Sequence, residues 1–370
     1  MLMIPDFARS VAAFVVVLGV LVFVHEMGHY LAARWRGVHV EAFSIGFGRS
    51  IASWTDRLGT VWKLAWLPLG GYVKLHGQER PEDVADDVRA RWQPGRTFHE
   101  KSVLSRAIVV AAGPVANFLL AAVLFAGLFG TVGRPVSVPV IGDVVADGAA
   151  AKAGLRAGDR VEAIDGAAVS RFEDIQRIVS ANPDRELSLR ILRDGHEQTV
   201  AVVAGGRDGG QGRRVGLLGV RGGGTEFTKL NPAQAVVAGV EQTWDITAQT
   251  VAGLGQMLSG ARTTDELGGP LRIAQLSGQV AQLGLSSLIS FIAVLSVNLG
   301  LINLFPIPIL DGGHLLFYLV EAVRGRPLPP RAQEYGYRAG FAVLACLFVF
   351  ATWNDLTHLG LFRWVTGLIG

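Results

Sequence analysis

The stretch LVFVHEMGHYLAARW, residues 21–35, decides how this sequence folds. It ends an apolar run that begins near Val11 and places His25, Glu26 and His29 inside that run. About 20 apolar residues are enough to cross the hydrocarbon core of a bilayer as a helix, so the run predicts a membrane span. Ionisable side chains are costly inside a span and usually mark a functional site, so these three residues are candidates for one.

The composition points to a membrane protein. Half of the 370 residues are hydrophobic, which is high for a soluble globular protein and predicts a polytopic α-helical membrane protein. The formal net charge is only +3, and basic residues are not interleaved with aromatic ones, so nucleic acid is not an expected partner. The chain has one cysteine, Cys346, in an apolar run; it excludes an intrachain disulfide and is expected to be a free thiol in the core.

Four segments are long and apolar enough to form transmembrane helices, at residues 10–32, 104–130, 286–308 and 336–354. No small-residue cleavage site follows the first segment, so we interpret it as a retained helix and not as a signal peptide. Basic residues are concentrated in the loop 34–103 and in the short loop after the third segment. The positive-inside rule therefore predicts that both loops are cytoplasmic and that both termini lie outside.

Residues 134–222 have the character of a small α+β module inserted between the second and third spans. Short β-rich runs alternate with Asp-Gly turns, and residues 171–180 are helix-like. The text AAAKAGLRAGDRVEAIDG, residues 149–166, resembles the PDZ family, in which such a turn leads into a core strand. Many PDZ domains bind peptides by adding a strand to a sheet edge, whereas others act as size filters, and both roles stay open.

Residues 41–75 predict a membrane-associated β-sheet. They contain short strand-like runs separated by glycine-containing turns. Trp54, Trp62, Trp66 and Tyr72 carry amphipathic rings, which favour a membrane interface. Because lipid offers no hydrogen bonds, such a sheet needs another element to satisfy its edge.

His25, Glu26 and His29 have the spacing of a zinc site. Residues four apart lie on one face of a helix, so both imidazoles can bind one ion while Glu26 acts as general base on a water. A catalytic zinc ion needs a third protein ligand and an open position. Asp311 is the only carboxylate in NLGLINLFPIPILDGGHL, residues 298–315, where prolines must interrupt the third span. The alternative is a pair of structural histidines that hydrogen-bond between helices.

Three motifs together resemble the site-2 protease family of intramembrane zinc metalloproteases. They are the H-E-x-x-H pattern in the first span, the N-x-x-P-x-P-x-L-D-G stretch at 303–312, and AGPVANFLLA at 112–121. A single PDZ insertion matches the bacterial branch of the family. The resemblance implies a Zn²⁺ ion held by His25, His29 and Asp311, with Glu26 activating water.

The resemblance also implies where a substrate binds. Asn303 would lie near the substrate carbonyl, although a hydrogen bond between helices is an alternative role for its amide. The family's membrane-associated β-loop is thought to pair with an unwound substrate and resembles GGYVKL here, so the candidate contacts are Gly70, Gly71, Tyr72, Val73 and Lys74. Asn298 is a further candidate contact, and His314 is expected beside the site without a direct role.

The implied function is that of a zinc-dependent intramembrane endopeptidase in the bacterial inner membrane. Its substrates would be single-pass transmembrane proteins, such as anti-sigma factors or signal-peptide remnants, after prior trimming outside the membrane. A peptide or a substrate ectodomain would bind at the PDZ domain, and the lipid bilayer would surround the catalytic part.

Two other function classes fit parts of the sequence. A membrane metal transporter would also place histidine, glutamate and aspartate within spans, but it requires a polar pathway. The second and fourth spans carry only scattered polar residues, such as Asn117 and Asn354. An inactive PDZ scaffold would tolerate the loss of Glu26, which is present.

Four regions follow from these predictions. The membrane catalytic domain is split into residues 1–133 and 286–370, on either side of the PDZ domain at 134–222. Residues 223–285 form a connector with surface helices, for which two roles are open: a gate over the site, or plain packing on the membrane domain.

Overall fold

The structure, a computed structural model, describes residues 3–79, 84–208, 214–261, 263 and 268–358. The described residues form two compact units. The first unit contains the chain up to Leu128 and from Pro232 onward, and the second unit is Phe129–Asn231. The second unit is therefore inserted between the two chain segments that form the first unit.

The elements follow one another as helices, a β-rich insertion and helices again. Before the insertion come α1 (Met3–Trp35), β1 (Val40–Thr55), β2 (Val61–Leu75), α2 (Asp86–Arg89) and α3 (Val103–Thr131). The insertion contains β3 (Arg134–Ser137), β4 (Ile141–Val144), α4 (Ala149–Lys152), β5 (Arg160–Ile164), β6 (Ala167–Ala168), α5 (Phe172–Ser180), β7 (Glu186–Arg193), β8 (His196–Val203), β9 (Gly205–Asp208), β10 (Arg214–Leu217), β11 (Val220–Gly222) and β12 (Thr225–Thr228). After it come α6 (Pro232–Leu258), α7 (Pro270–Gln282), α8 (Leu285–Asn303), α9 (Asp311–Arg324) and α10 (Pro330–His358).

Four of the described helices are long and apolar enough to cross a membrane, namely α1, α3, α8 and α10. This confirms the predicted number of spans. The third of them ends at Asn303, before its predicted end at residue 308, because Pro306 lacks an N–H and the residue before a proline avoids helical backbone. The prediction of a core thiol is wrong, since Cys346 is exposed on α10 beside the exposed side chains of Leu347 and Phe348.

The second unit has its own hydrophobic core. Its largest sheet has the strand order β6-β5-β7-β8. Side chains alternate along β7, so that Leu187, Leu189 and Ile191 point into the core and their neighbours point outward. Ile175 and Val179 of α5 belong to the same core.

Strands β1 and β2 are bent into a sheet of four segments. Residues 42–45 pair on one side with residues 61–64 and on the other side with residues 71–74. Residues 50–55 pair in turn with the segment 61–65. Among the described residues, the segment 71–74 has strand partners on one side only, so it forms an edge of this sheet.

A tight loop joins α8 to α9 and places Asp311 at the first position of α9. Ile309 in this loop has a φ of 98°, a left-handed conformation that is strained for a β-branched residue. A Cβ atom at Gly312 would overlap the carbonyl oxygen of Leu304, and Gly313 is enclosed by the loop in the same way. The two glycines therefore let the loop fold directly against the first turn of α9 and fix the position of Asp311.

A buried ion pair joins α3 to α9. Arg106 Nη2 lies 2.7 Å from Glu321 Oε1, and Nη1 lies 3.2 Å from Oε2. The two side chains are 15% and 13% exposed. The guanidinium also lies over the ring of Tyr318, 4.9 Å from its centroid. These contacts fix the orientation of the helix that begins with Asp311.

Helices α6 and α7 pack against the spans of the first unit. A Cβ atom at Gly239 of α6 would contact the carbonyl oxygen of Ala122 in α3, and Gly278 of α7 lies directly against Ser10 of α1. The carboxylate of Asp355 in α10 accepts three backbone N–H groups at the start of α7, at 2.8 to 3.0 Å. A carboxylate at a helix N-terminus satisfies donors that have no partner within the helix.

The ion pair between α3 and α9 gives a stability prediction. The Glu321→Gln substitution leaves the Arg106 charge buried without its partner, so we expect the free energy of unfolding to fall by about 3 kcal/mol. The matched control is Glu334→Gln on α10, which breaks an exposed pair with Arg338 and should cost under about 1 kcal/mol. Unfolding of the purified protein in mixed micelles measures both, and equal effects would contradict the role of the buried pair.

Candidate metal centre

Three side chains from two helices converge at one point of the first unit. His25 and His29 lie one turn apart on α1, and their Nε2 atoms are 3.2 Å apart. Asp311 Oδ2 lies 3.1 Å from His25 Nε2 and 3.5 Å from His29 Nε2. Among the described residues, this is the one cluster of three or more histidine, cysteine, aspartate or glutamate side chains with the geometry to hold a metal ion.

The hydrogen bonds around His29 and Asp311 leave lone pairs free to bind a cation. His29 Nδ1 lies 2.9 Å from the carbonyl oxygen of Val109, which can only accept, so Nδ1 carries the proton and Nε2 presents a lone pair. Asp311 Oδ2 is buried and accepts no well-formed hydrogen bond from the described residues. Imidazole nitrogen and carboxylate oxygen are ordinary zinc ligands. The residues present therefore fit a zinc ion.

Helix α3 forms the surface on which the two histidines rest. A Cβ atom at Gly113 would overlap His29 Nε2 and lie 2.9 Å from His25 Cε1. Gly28, between the two histidines, packs so closely on α3 that a Cβ atom there would overlap the carbonyl oxygen of Ala112. Gly113 therefore leaves the room that both imidazoles occupy, and Gly28 lets α1 lie close against α3.

A cavity of about 980 Å³ surrounds the cluster and also contains Glu26. The segment 71–75 of β2 lines the same cavity. Glu26 and Val73 line this cavity together, and a Cβ atom at Gly71 would lie 3.0 Å from Glu26 Cγ. The edge of the sheet therefore lies directly beside the candidate general base.

The other predicted site residues have different positions. Asn303 lines the cavity, and its side-chain amide donates to the carbonyl oxygen of Leu299 at 3.0 Å. His314 also lines the cavity. Asn298 is not among the described residues that line it, and its Oδ1 accepts a hydrogen bond from Thr250 of α6 at 3.2 Å. Gly70 is also not among the described residues that line the cavity. It has a φ of 145° and lies under the ring of Phe47.

Lys74 is paired beside the cavity. Its Nζ lies 2.7 Å from Glu41 Oε2, and His76 Nδ1 lies 2.8 Å from Glu41 Oε1. Burial opposes ionisation of Glu41, but the hydrogen bonds from Lys74 and His76 outweigh it and lower the pKa of its carboxyl. Lys74 therefore faces a carboxylate that stays charged at neutral pH.

Sequence reasoning missed three contributions from α3. The main-chain carbonyl of Val109 fixes one histidine, Gly113 makes room for both, and the side chain of Asn117 lies 3.1 Å from His25 Nδ1. These three positions are four residues apart and share one face of the helix. The spacing of Gly113 and Asn117 within the motif AGPVANFLLA is the available sequence signal, whereas the main-chain carbonyl of Val109 has none.

The room at Gly113 gives a metal-binding prediction. In Gly113→Ala the added methyl group occupies the place of the His29 ring, so we expect the zinc content of the purified protein to fall from about one equivalent to near zero. The control is Gly127→Ala on the same helix, where a Cβ atom has nothing within 4 Å among the described residues. Elemental analysis measures both variants, and full zinc occupancy in Gly113→Ala would contradict this geometry.

Comparison with known proteins identifies the family. Residues 13–347 match the model of peptidase family M50. A protein of Rhizobium meliloti named a zinc metalloprotease is 44% identical over 370 residues, covering 97% of this chain and 99% of the relative. Metalloprotease MmpA of Caulobacter vibrioides is 36% identical, covering 95% and 96%. The regulator of sigma-E protease RseP of Escherichia coli is 32% identical, covering 96% and 100%. The chain therefore belongs to peptidase family M50, the site-2 proteases, and is a zinc metalloprotease with four candidate membrane spans.

Proposed function

We propose that this protein is an intramembrane endopeptidase, which hydrolyses peptide bonds within the transmembrane segments of single-pass membrane proteins. The observation that carries the proposal is the meeting of His25, His29 and Asp311 with Glu26 and a strand edge in one cavity. Membership of the family supports the reaction type over the metal transporter and the inactive scaffold. The position of the histidines within α1, a candidate span, supports a reaction inside the membrane.

In this proposal His25, His29 and Asp311 hold the zinc ion. When bound, zinc supplies Lewis acidity that lowers the pKa of water and polarises a carbonyl group. Glu26 takes a proton from the attacking water and delivers it to the amine nitrogen as the C–N bond breaks. The carboxylate of Glu26 is regenerated at the end of each cycle.

Asn303 is proposed to contact the substrate carbonyl. Its amide nitrogen carries two N–H groups, of which one donates to Leu299 and the other can donate to the developing oxyanion. A donor at such a position typically lowers the activation barrier by about 2.7 to 4 kcal/mol. Asn298 is not given this role, because it is not among the described residues that line the cavity; its amide oxygen accepts a hydrogen bond from Thr250 of α6.

The substrate is proposed to bind along the edge of β2. A peptide bond in a transmembrane helix is shielded because its N–H and C=O are already hydrogen-bonded, so the substrate must unwind before attack. Pairing with a strand edge offsets the hydrogen bonds that unwinding breaks. Gly71, Tyr72, Val73 and Lys74 form that edge within the cavity, and Gly70 turns the chain into it.

Substrates of this kind include anti-sigma factors and signal-peptide remnants whose outer parts have been trimmed. One relative is named a regulator of sigma-E protease, which favours a regulatory membrane protein as substrate.

The second unit is proposed to be a PDZ domain at residues 134–222. The motif at 149–166 supplies α4, the turn and β5, and α5 and the closing strands follow in the order of that fold. A peptide or the ectodomain of a substrate would add a strand beside α5. The basic residues of loop 34–103 support a cytoplasmic position for this loop. Both termini and the PDZ domain would then lie on the outer side of the bacterial inner membrane.

The catalytic membrane domain is proposed to comprise residues 1–133 and 286–370; the PDZ domain and the connector 223–285 lie between these two parts in the chain. Helices α6 and α7 of the connector pack on α3 and α1, which supports its assignment to the membrane part of the molecule. A gate at the site would require these two helices to move relative to the spans.

The proposed role of Glu26 is tested by co-expression with a tagged single-pass protein whose ectodomain is cut back to a signal-peptide-like remnant. The Glu26→Gln variant should keep its zinc and lose cleavage by at least about 100-fold, because a general base contributes about 10² to 10⁴. Exposed Glu334→Gln is the control and should cleave like the wild type. Mass spectrometry of the products should place the cut inside the apolar segment. Equal cleavage by Glu26→Gln, or a cut outside that segment, would refute the proposal.

A further inference from the structure

Asn117 lies at the centre of α3 with an amide that the proposed reaction does not use. Its side chain is fully buried, and its amide nitrogen lies 3.1 Å from His25 Nδ1. Its Oδ1 is also buried and has no hydrogen-bond partner among the described residues. Its main-chain carbonyl accepts a hydrogen bond from Ser296 Oγ of α8 at 2.8 Å. An amide buried within an apolar span with one unsatisfied atom is costly, so its place there requires a reason.

The protonation of His25 supplies that reason. Asp311 and His29 face His25 Nε2, so a metal ion held by this cluster would bind that nitrogen, and the proton of the neutral ring would then reside on Nδ1. A protonated Nδ1 is a donor and needs an acceptor. Rotation of the Asn117 amide by 180° brings its oxygen opposite Nδ1, where it accepts this proton. The oxygen and nitrogen of such an amide are nearly identical in shape, so the rotation needs no extra space.

We propose that Asn117 is a positioning residue for the zinc site: its Oδ1 accepts a hydrogen bond from His25 Nδ1–H and so fixes the tautomer and ring orientation of His25. The inference rests on the proposed role of His25 as a zinc ligand and adds a residue that acts through it. Partners of this kind orient metal-binding histidines and raise the basicity of the coordinating nitrogen.

The two histidines are held by different kinds of acceptor on the same helix face. His29 is fixed by the main-chain carbonyl of Val109, which substitution of side chains leaves in place. His25 depends on a side chain, so its orientation can be changed by a single substitution. Val109 and Asn117 are eight residues, about two turns, apart on α3 and so share one face of that helix.

The test compares two substitutions of similar size. Asn117→Leu keeps the volume but has no acceptor, and we expect the dissociation constant for zinc, measured by competition with a chelator, to rise about 10- to 100-fold. Asn117→Asp keeps an acceptor in the same place and should bind zinc within a few-fold of the wild type. Ser296→Ala is the matched control, because it removes the hydrogen bond to the main-chain carbonyl of Asn117 and leaves the side-chain amide in place.

Thermal unfolding of the metal-free proteins separates positioning from packing. Metal-free Asn117→Leu should unfold at the temperature of the metal-free wild type, since leucine fills the same apolar space. Wild-type zinc affinity in Asn117→Leu, or a loss in Asn117→Asp as large as in Asn117→Leu, would overturn the inference. His25→Ala distinguishes the two proposals: if it binds zinc like the wild type, the ligand assignment itself fails. If it loses zinc while Asn117→Leu does not, only the role of Asn117 fails.

Discussion

The first unit depends on holding two imidazole nitrogens and one carboxylate oxygen within 3.5 Å of one another inside a helix bundle of membrane type. Without a cation, this arrangement brings lone pairs together and leaves a buried carboxylate oxygen unsatisfied. The surrounding contacts hold the three groups in this unfavourable arrangement. Gly28 and Gly113 let α1 and α3 approach, and the Arg106 ion pair with Glu321 fixes the helix that begins with the third group.

Helix α3 acts as a common support for these parts. Residues 106, 109, 113 and 117 lie along one face of this helix. Arg106 pairs with Glu321 of α9, and the carbonyl of Val109 lies against His29. Gly113 makes room for both imidazoles, and Asn117 lies beside His25. A rigid helix can fix several groups at once because its face repeats every three to four residues. The strand edge beside Glu26 then brings the chemistry and the proposed substrate site into one cavity.

The sequence predicts the local parts of this site well. The H-E-x-x-H spacing places both histidines on one helix face, and Asp311 stands out because it is the only carboxylate in residues 298–315, beside the proline break. The number of spans follows from hydropathy alone. The family resemblance from the same motifs agrees with the match to peptidase family M50.

The remaining parts depend on tertiary packing, which a single sequence records poorly. A main-chain carbonyl such as that of Val109 has no sequence signal, and a glycine such as Gly113 is common in membrane helices. From the sequence alone Asn117 is one of several scattered polar residues, because its partner His25 lies 92 positions away. The core assignment of Cys346 failed because an apolar residue of a span can face lipid as readily as protein.

The most direct test of the central claim is X-ray absorption at the zinc K-edge on the purified full-length protein. We expect one zinc ion per chain with two nitrogen ligands at about 2.0–2.1 Å, carboxylate oxygen at about 2.0–2.2 Å and no sulfur shell. In Asp311→Ala the carboxylate contribution should disappear. A sulfur shell at about 2.3 Å in the wild type, or an unchanged spectrum in both His25→Ala and Asp311→Ala, would contradict the account.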